Sequence, residues 1–165
     1  LGKNSSGARQ LLGIGEQLLC DETLLSDPKK FFEALGIDYF TGAPIAPSCT
    51  GMLFAVPGFP TEFEVDEVCT QNKNSMGFLV PAGNSIAPGG FLPIQTFTAC
   101  DIQSREGGTN NFLLCQGNQP AGTHGRVRIH PNNPLGNCDR VKMHFDPSAN
   151  PSPAVFDTAA FATCP

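Results

Sequence analysis

Seven cysteines (Cys20, Cys49, Cys69, Cys100, Cys115, Cys138 and Cys164) are dispersed through 165 residues with no C-x2-C or other short ligand spacing among them. Zinc centres are built from short-range pairs, so neither a metal nor any other cofactor is expected. Reducing compartments seldom keep dispersed cysteines as structural bridges. The pattern therefore predicts an oxidised, disulfide-braced protein that is secreted and works extracellularly. A start at Leu1 rather than Met fits removal of a signal peptide. Asn4-Ser5-Ser6 is a glycosylation sequon in a polar, accessible setting, which makes Asn4 the expected site, whereas Pro151 disqualifies Asn150-Pro151-Ser152.

The length suits a single domain over 1–165 with a true core. Residues 1–7 are expected to be loose, and 147–165 to form an extended Pro/Ala-rich tail tethered by Cys164. Eighteen Gly and 15 Pro are more punctuation than a helical bundle tolerates. A formal charge of -5 argues against a dedicated nucleic-acid or anionic-membrane binder. No apolar run approaches the length of a membrane-crossing helix.

Ala8, Leu11, Leu12, Gly15, Leu18 and Leu19 fall at helical spacing, so a helix is expected over 8–20. A second should start at the N-cap Asp27, with Pro28 in the first position, Phe31, Phe32 and Leu35 on one face, and Gly36 as its stop. From Thr50 the period changes to two. Met52–Val56, Glu62–Asp66, Met76–Val80, Ile94–Ile102, Asn111–Cys115, Arg126–His130 and Arg140–Phe145 read as strands, and Ala82–Gly90 as a loop. The expected class is α+β: two N-terminal helices packed on a mostly antiparallel sheet, braced by disulfides.

One bridge follows from register. A hairpin centred on Gly107-Gly108 places Cys100 opposite Cys115, within disulfide reach. The pairing of Cys20, Cys49, Cys69, Cys138 and Cys164 stays open, with one of them left over.

Two strands share a basic face. Val127, Ile129, Val141, Met143 and Phe145 point one way, and Arg126, Arg128, His130, Arg140, Lys142 and His144 the other. Paired as a hairpin they would set like charges opposite each other, at a cost. That face has two readings. Arg126, Arg128, Arg140 and Lys142 form an anion-binding site, or the acids of Glu62–Asp66 lie alongside and neutralise them. His130, His144 and Asp146 could also hold Zn or Cu, but without a spacing motif.

The run RVRIHPNNPLGNCDRVKMHF resembles the C-terminal strands of small secreted fungal guanyl-specific ribonucleases. An Arg opens one strand (Arg126), an Asn-rich turn follows (Asn132-Asn133), and a His closes the next strand (His144). The resemblance implies an RNA-cleaving site, for which Glu64, Arg128, His130 and His144 supply the base, acid and cation types that phosphodiester cleavage needs. The family's upstream Tyr–His pair is missing here, and its Glu would have to be Glu62 or Glu64 across a longer connection.

The dispersed cysteines and the Pro/Gly/Asn/Phe-rich β half also resemble, in style, small secreted cysteine-containing fungal proteins that act as effectors. That resemblance implies a non-enzymatic protein binding an extracellular or host protein, with no membrane partner. A ribonuclease-like protein, active or degenerate, is the alternative, and only there is nucleic acid a partner. A carbohydrate-binding module is disfavoured, because there is no Trp and a single Tyr to stack on sugars.

Overall fold

The computed structural model describes residues 26–147, 151 and 155–161. The chain separates into two compact units, Leu1–Ala46 and Pro47–Pro165. The first unit contains helix α1 (Pro28–Ala34), capped as its sequence requires. The Asp27 carboxylate accepts from the backbone N–H groups of Lys29 and Lys30 at 3.1 and 3.3 Å, and Gly36 takes a φ of 73° just past the end. The helix expected over 8–20 lies outside the described residues.

Among its described residues the second unit forms a nine-stranded sheet. Its strands are β1 (Cys49–Val56), β2 (Phe59–Cys69), β3 (Lys73–Leu79), β4 (Ile86–Gln95), β5 (Ala99–Gln103), β6 (Phe112–Gln119), β7 (His124–Pro131), β8 (Arg140–His144) and β9 (Val155–Phe161). The spatial order is β4-β7-β2-β1-β9-β8-β3-β6-β5. Strands β4 and β5, at the two ends of that order, approach each other, so the sheet is nearly closed and barrel-like. Among the described residues every strand pairing is antiparallel except β1 with β9, where Met52 and Leu53 lie beside Ala160 and Phe161 in parallel.

The expected fold class is thereby corrected. Among the described residues the protein is mostly β, with one short helix, so the class is not the expected α+β. The apolar faces curve round to bury one another instead. Leu53, Phe63, Val65, Met76, Phe78, Leu113, Val127, Ile129, Val141 and Met143 fill the interior. Inside positions alternate with outside ones along β2 and β7, as a period of two dictates.

Three boundaries also differ. The expected loop Ala82–Gly90 becomes strand from Ile86, with an irregularity between Ile86 and Phe91 that carries Gly89 at a φ of 67°. The single strand expected over Ile94–Ile102 is two, β4 and β5, broken where Thr96 adopts a φ of 71°. Part of the expected extended tail is β9, an interior member of the sheet. Cys100 and Cys115 do face each other and are bridged, with Cα atoms 4.1 Å apart. Cys49 and Cys69, opposed at the far end of the β1–β2 ladder, form a second bridge. Cys138 is also disulfide-bonded, and Cys20 and Cys164 lie outside the described residues.

Candidate functional site

The basic strands are not a hairpin. β7 pairs with β2 and β4, β8 pairs with β9 and β3, and three strands separate them. Their cations therefore never form one face. Beside β7 lies β2, in a register that sets Glu64 opposite Arg128 and Asp66 opposite Arg126. Seven side chains of alternating charge type run along the outside of this pair. His124 Nδ1 is 2.6 Å from Asp66, and Asp66 is 3.5 Å from Arg126 Nε. Glu64 then accepts from Arg126 at 2.9 Å and from Arg128 at 3.0 Å. Arg128 lies 3.7 Å from Glu62, and Glu62 3.7 Å from His130. Each acid is shared between two cationic or basic neighbours, so the arginines are engaged within the sheet rather than held open for a phosphate.

Apolar side chains flank this ladder on both sides. Met52 and Phe54 of β1 are exposed next to β2, and Leu92 and Ile94 of β4 are exposed next to β7. Arg126 also sits 5.8 Å from the Phe54 ring centroid. One register row runs Phe54, Glu64, Arg128, Leu92 across four strands. The outer surface of β1, β2, β7 and β4 is thus a charged, internally matched strip between two exposed apolar edges.

The other residues expected in a site are elsewhere. His144 is fully buried, its ring edge-on to Phe112 at 5.6 Å. Arg105 packs on the Phe112 ring, with its guanidinium 5.3 Å from the centroid and Nη2 donating to Pro147 O at 3.0 Å. Arg140 and Lys142 are exposed on β8 against β9, where Arg140 reaches Thr158 Oγ1 at 3.4 Å. The anion-binding quartet is therefore split into two pairs on different strands. Glu64, Arg128 and His130 share the outer face of β2 and β7, and His144 does not join them. The same separation leaves His130 without His144 and Asp146 as co-ligands. Asn132 and Asn133 are engaged with the Asn84-Ser85 turn through Ser85 Oγ at 2.7 Å and Asn84 Oδ1 at 3.2 Å. Asn4 lies outside the described residues.

A second constellation, inside the barrel end, was not anticipated. Glu67 and Lys73 are both buried, with Lys73 Nζ 2.8 Å from Glu67 Oε2. Nζ is also 2.7 Å from Cys69 Sγ and 4.0 Å from Cys49 Sγ, and Glu67 Oε2 is 3.2 Å from Cys69 Sγ. Gln119, opposite Lys73 across the β3–β6 ladder, is buried too. Burial pushes the Glu67 carboxyl above its ordinary range, against the pull of Lys73, and pushes the Lys73 amine below its own. Room for this pair comes from Gly125, where a Cβ would stand 2.5 Å from Glu67 Oε1 and 2.8 Å from the Phe97 ring. Cys49, Glu67 and Cys69 are the one group of metal-ligand type among the described residues, and both sulfurs are committed to their disulfide. A signal for Glu67 existed: the inward alternation Phe63, Val65 reaches Glu67 next. Nothing comparable marked Lys73.

Compared with known proteins, the chain matches no family model, no curated protein and no solved structure.

Proposed function

We propose that this protein is a secreted, disulfide-braced binding protein that engages an extracellular or host protein through the outer face of β4, β7, β2 and β1, and that it is not an enzyme. The observation that carries this reading is the ladder itself. Its arginines are matched by Glu62, Glu64 and Asp66, while Met52, Phe54, Leu92 and Ile94 stay between 41% and 53% exposed beside them. Apolar edges around a fixed, polar centre suit protein contact, in which apolar area supplies affinity and charge fixes orientation. The disulfides are compatible with an extracellular setting. The likeness in style to small secreted cysteine-containing fungal proteins supports the same reading and suggests an effector role.

A ribonuclease would use the same face, since Glu64, Arg128 and His130 are together there. It is the lesser reading because His144 is fully buried against the Phe112 ring, away from those three residues.

The test has two arms. Immobilised wild type and a Phe54→Glu/Leu92→Glu variant are compared for capture from extracellular fluid of a host tissue. A discrete protein retained by wild type and lost by the folded variant supports the binding face, and equal capture by both removes it. Separately, labelled mixed-sequence RNA is expected to stay intact. Cleavage abolished by Arg128→Ala and His130→Ala would replace the binding reading with the ribonuclease one.

A further inference from the structure

Cys69 is the last residue of β2 and Lys73 the first of β3, so only Thr70, Gln71 and Asn72 separate the two strands at the barrel rim. Thr70 and Asn72 are exposed, and directly beneath them lie Cys69, Lys73 and Glu67, all buried. Two groups compete for the Cys69 sulfur. Cys49 holds it in a disulfide. Lys73 Nζ stands 2.7 Å from the same sulfur, well inside the usual range of a hydrogen bond to sulfur and close to the span of a single bridging atom. Glu67 touches both, at 2.8 Å from Nζ and 3.2 Å from Sγ.

We propose that Cys69 is a redox modification site with two alternative covalent partners: Cys49, as the disulfide, and Lys73, through one bridging oxygen as a sulfur–oxygen–nitrogen cross-link formed with a peroxide oxidant.

The chemistry balances with two equivalents of hydrogen peroxide. Once the disulfide is opened by a dithiol, the Cys69 thiolate attacks one peroxide oxygen. The O–O bond breaks, sulfur is oxidised to the sulfenic acid, and water leaves. The Lys73 amine attacks a second peroxide, again breaking O–O, and becomes a hydroxylamine with loss of water. The hydroxylamine oxygen then attacks the sulfenic sulfur. An S–O bond forms, the S–OH bond breaks, and a third water carries off the hydroxyl. Glu67 takes the thiol proton and returns protons to the departing oxygens. Both nucleophiles need unprotonated forms. The burial that makes the charged amine unfavourable provides one for Lys73, and Glu67 beside Sγ can accept the proton of the other. Cys49, 4.0 Å from Nζ, is displaced from its partner without being consumed. The outcome moves a tie from β1–β2 to the β2–β3 turn and leaves Cys49 as a thiol.

The experiment is mass spectrometry on the whole chain. Cys49→Ala removes the competing partner, and the protein is then treated with limiting hydrogen peroxide. The expected product is one oxygen heavier and two hydrogens lighter than the starting chain, reverts with a thiol reductant, and maps to a peptide linking Cys69 to Lys73. The Cys49→Ala/Lys73→Arg variant keeps the cation, loses the amine, and should not form it. Folded Cys49→Ala that yields only sulfinic or sulfonic acid, or an untouched thiol, overturns the proposal. If Cys49→Ala does not fold, wild type is reduced with dithiothreitol and reoxidised over a range of peroxide. A fraction with the Cys69–Lys73 bridge and an alkylatable Cys49 supports it, and the Cys49–Cys69 disulfide as the sole product at every dose overturns it.

Discussion

Lys73 and Glu67 meet at 2.8 Å with side chains that are 3% and 0% exposed, directly against the Cys49–Cys69 bridge. A buried ion pair contributes little net stability, yet removing one partner strands the other. Lys73→Met is therefore expected to cost about 3–5 kcal/mol, whereas Lys73→Met/Glu67→Gln should recover most of that loss. Chemical denaturation of the two variants and wild type checks the cycle, and equal losses in single and double variants would contradict it.

The same pair sets a pH dependence. Lys73→Met removes the main counterweight to the burial that raises the Glu67 carboxyl above its ordinary 4.5, and leaves only the hydrogen bond from Gln119 to oppose it. A carboxyl whose folded pKa is raised holds its proton longer in the folded than in the unfolded chain. Its stabilising effect is complete below the unfolded value and is lost as pH rises through the folded one. The melting temperature of Lys73→Met should thus fall as pH is raised above 4.5, and Lys73→Met/Glu67→Gln should lack that slope.

The outer ladder behaves differently, because its groups are partly solvated. Glu64 serves two arginines at 2.9 and 3.0 Å, while Glu62 contacts Arg128 and His130 at 3.7 Å. Glu64→Gln should cost more than Glu62→Gln, with each pair contributing about 0.2–1 kcal/mol and less at high salt. Urea denaturation at low and high ionic strength measures the difference.

Gly77 marks a tight contact. A Cβ there would lie 2.0 Å from Phe112 Cζ and 3.0 Å from Pro147 Cβ. The Phe112 ring, fully buried, has nowhere to retreat. Gly77→Ala should lose about 1–3 kcal/mol, and adding Phe112→Leu should restore part of it, as read from thermal melts.

Opening the Cys100–Cys115 bridge by paired Ala substitution should cost about 3 kcal/mol, as expected for a closed loop of roughly 15 residues. A melting temperature unchanged by the substitution, and by reductant in wild type, would contradict a disulfide-braced barrel.

Particular residues show what the sequence made legible. The alternation of Glu62, Glu64 and Asp66 with Phe63 and Val65 fixed which way β2 faces, and the glycines at 107 and 108 fixed the register that joins Cys100 to Cys115. Helix α1 was readable because its cap, first-turn proline and stopping glycine are all local. Neighbours were not readable, since a period of two assigns a face and says nothing about the adjacent strand. β7 was therefore free to be paired on paper with β8 when it lies against β2. β4 was hidden by Pro88, Gly89, Gly90 and Pro93, residues that read as a loop until a neighbouring strand supplies the ladder. Thr96 concealed the break between β4 and β5, because a β-branched residue is a poor candidate for a positive φ. His144 occupies a polar position by alternation, yet it is buried against the ring of Phe112, a residue distant in sequence. Of the candidate site, the matched charges of β2 and β7 were foreseeable as one of two readings, and Lys73 was invisible because its partner is six residues away across a turn.

Strand β9 sits between β1 and β8, and it is the last of the nine to be synthesised. Before it emerges, the remaining strands comprise two groups of four, β4-β7-β2-β1 and β8-β3-β6-β5, with no ladder joining them through the β1–β8 seam. The ribosome must therefore deliver almost the whole unit before the two halves can be stitched together, and the edges of β1 and β8 wait unpaired until then. Nascent chains halted before Val155 should be the ones that chaperones hold longest.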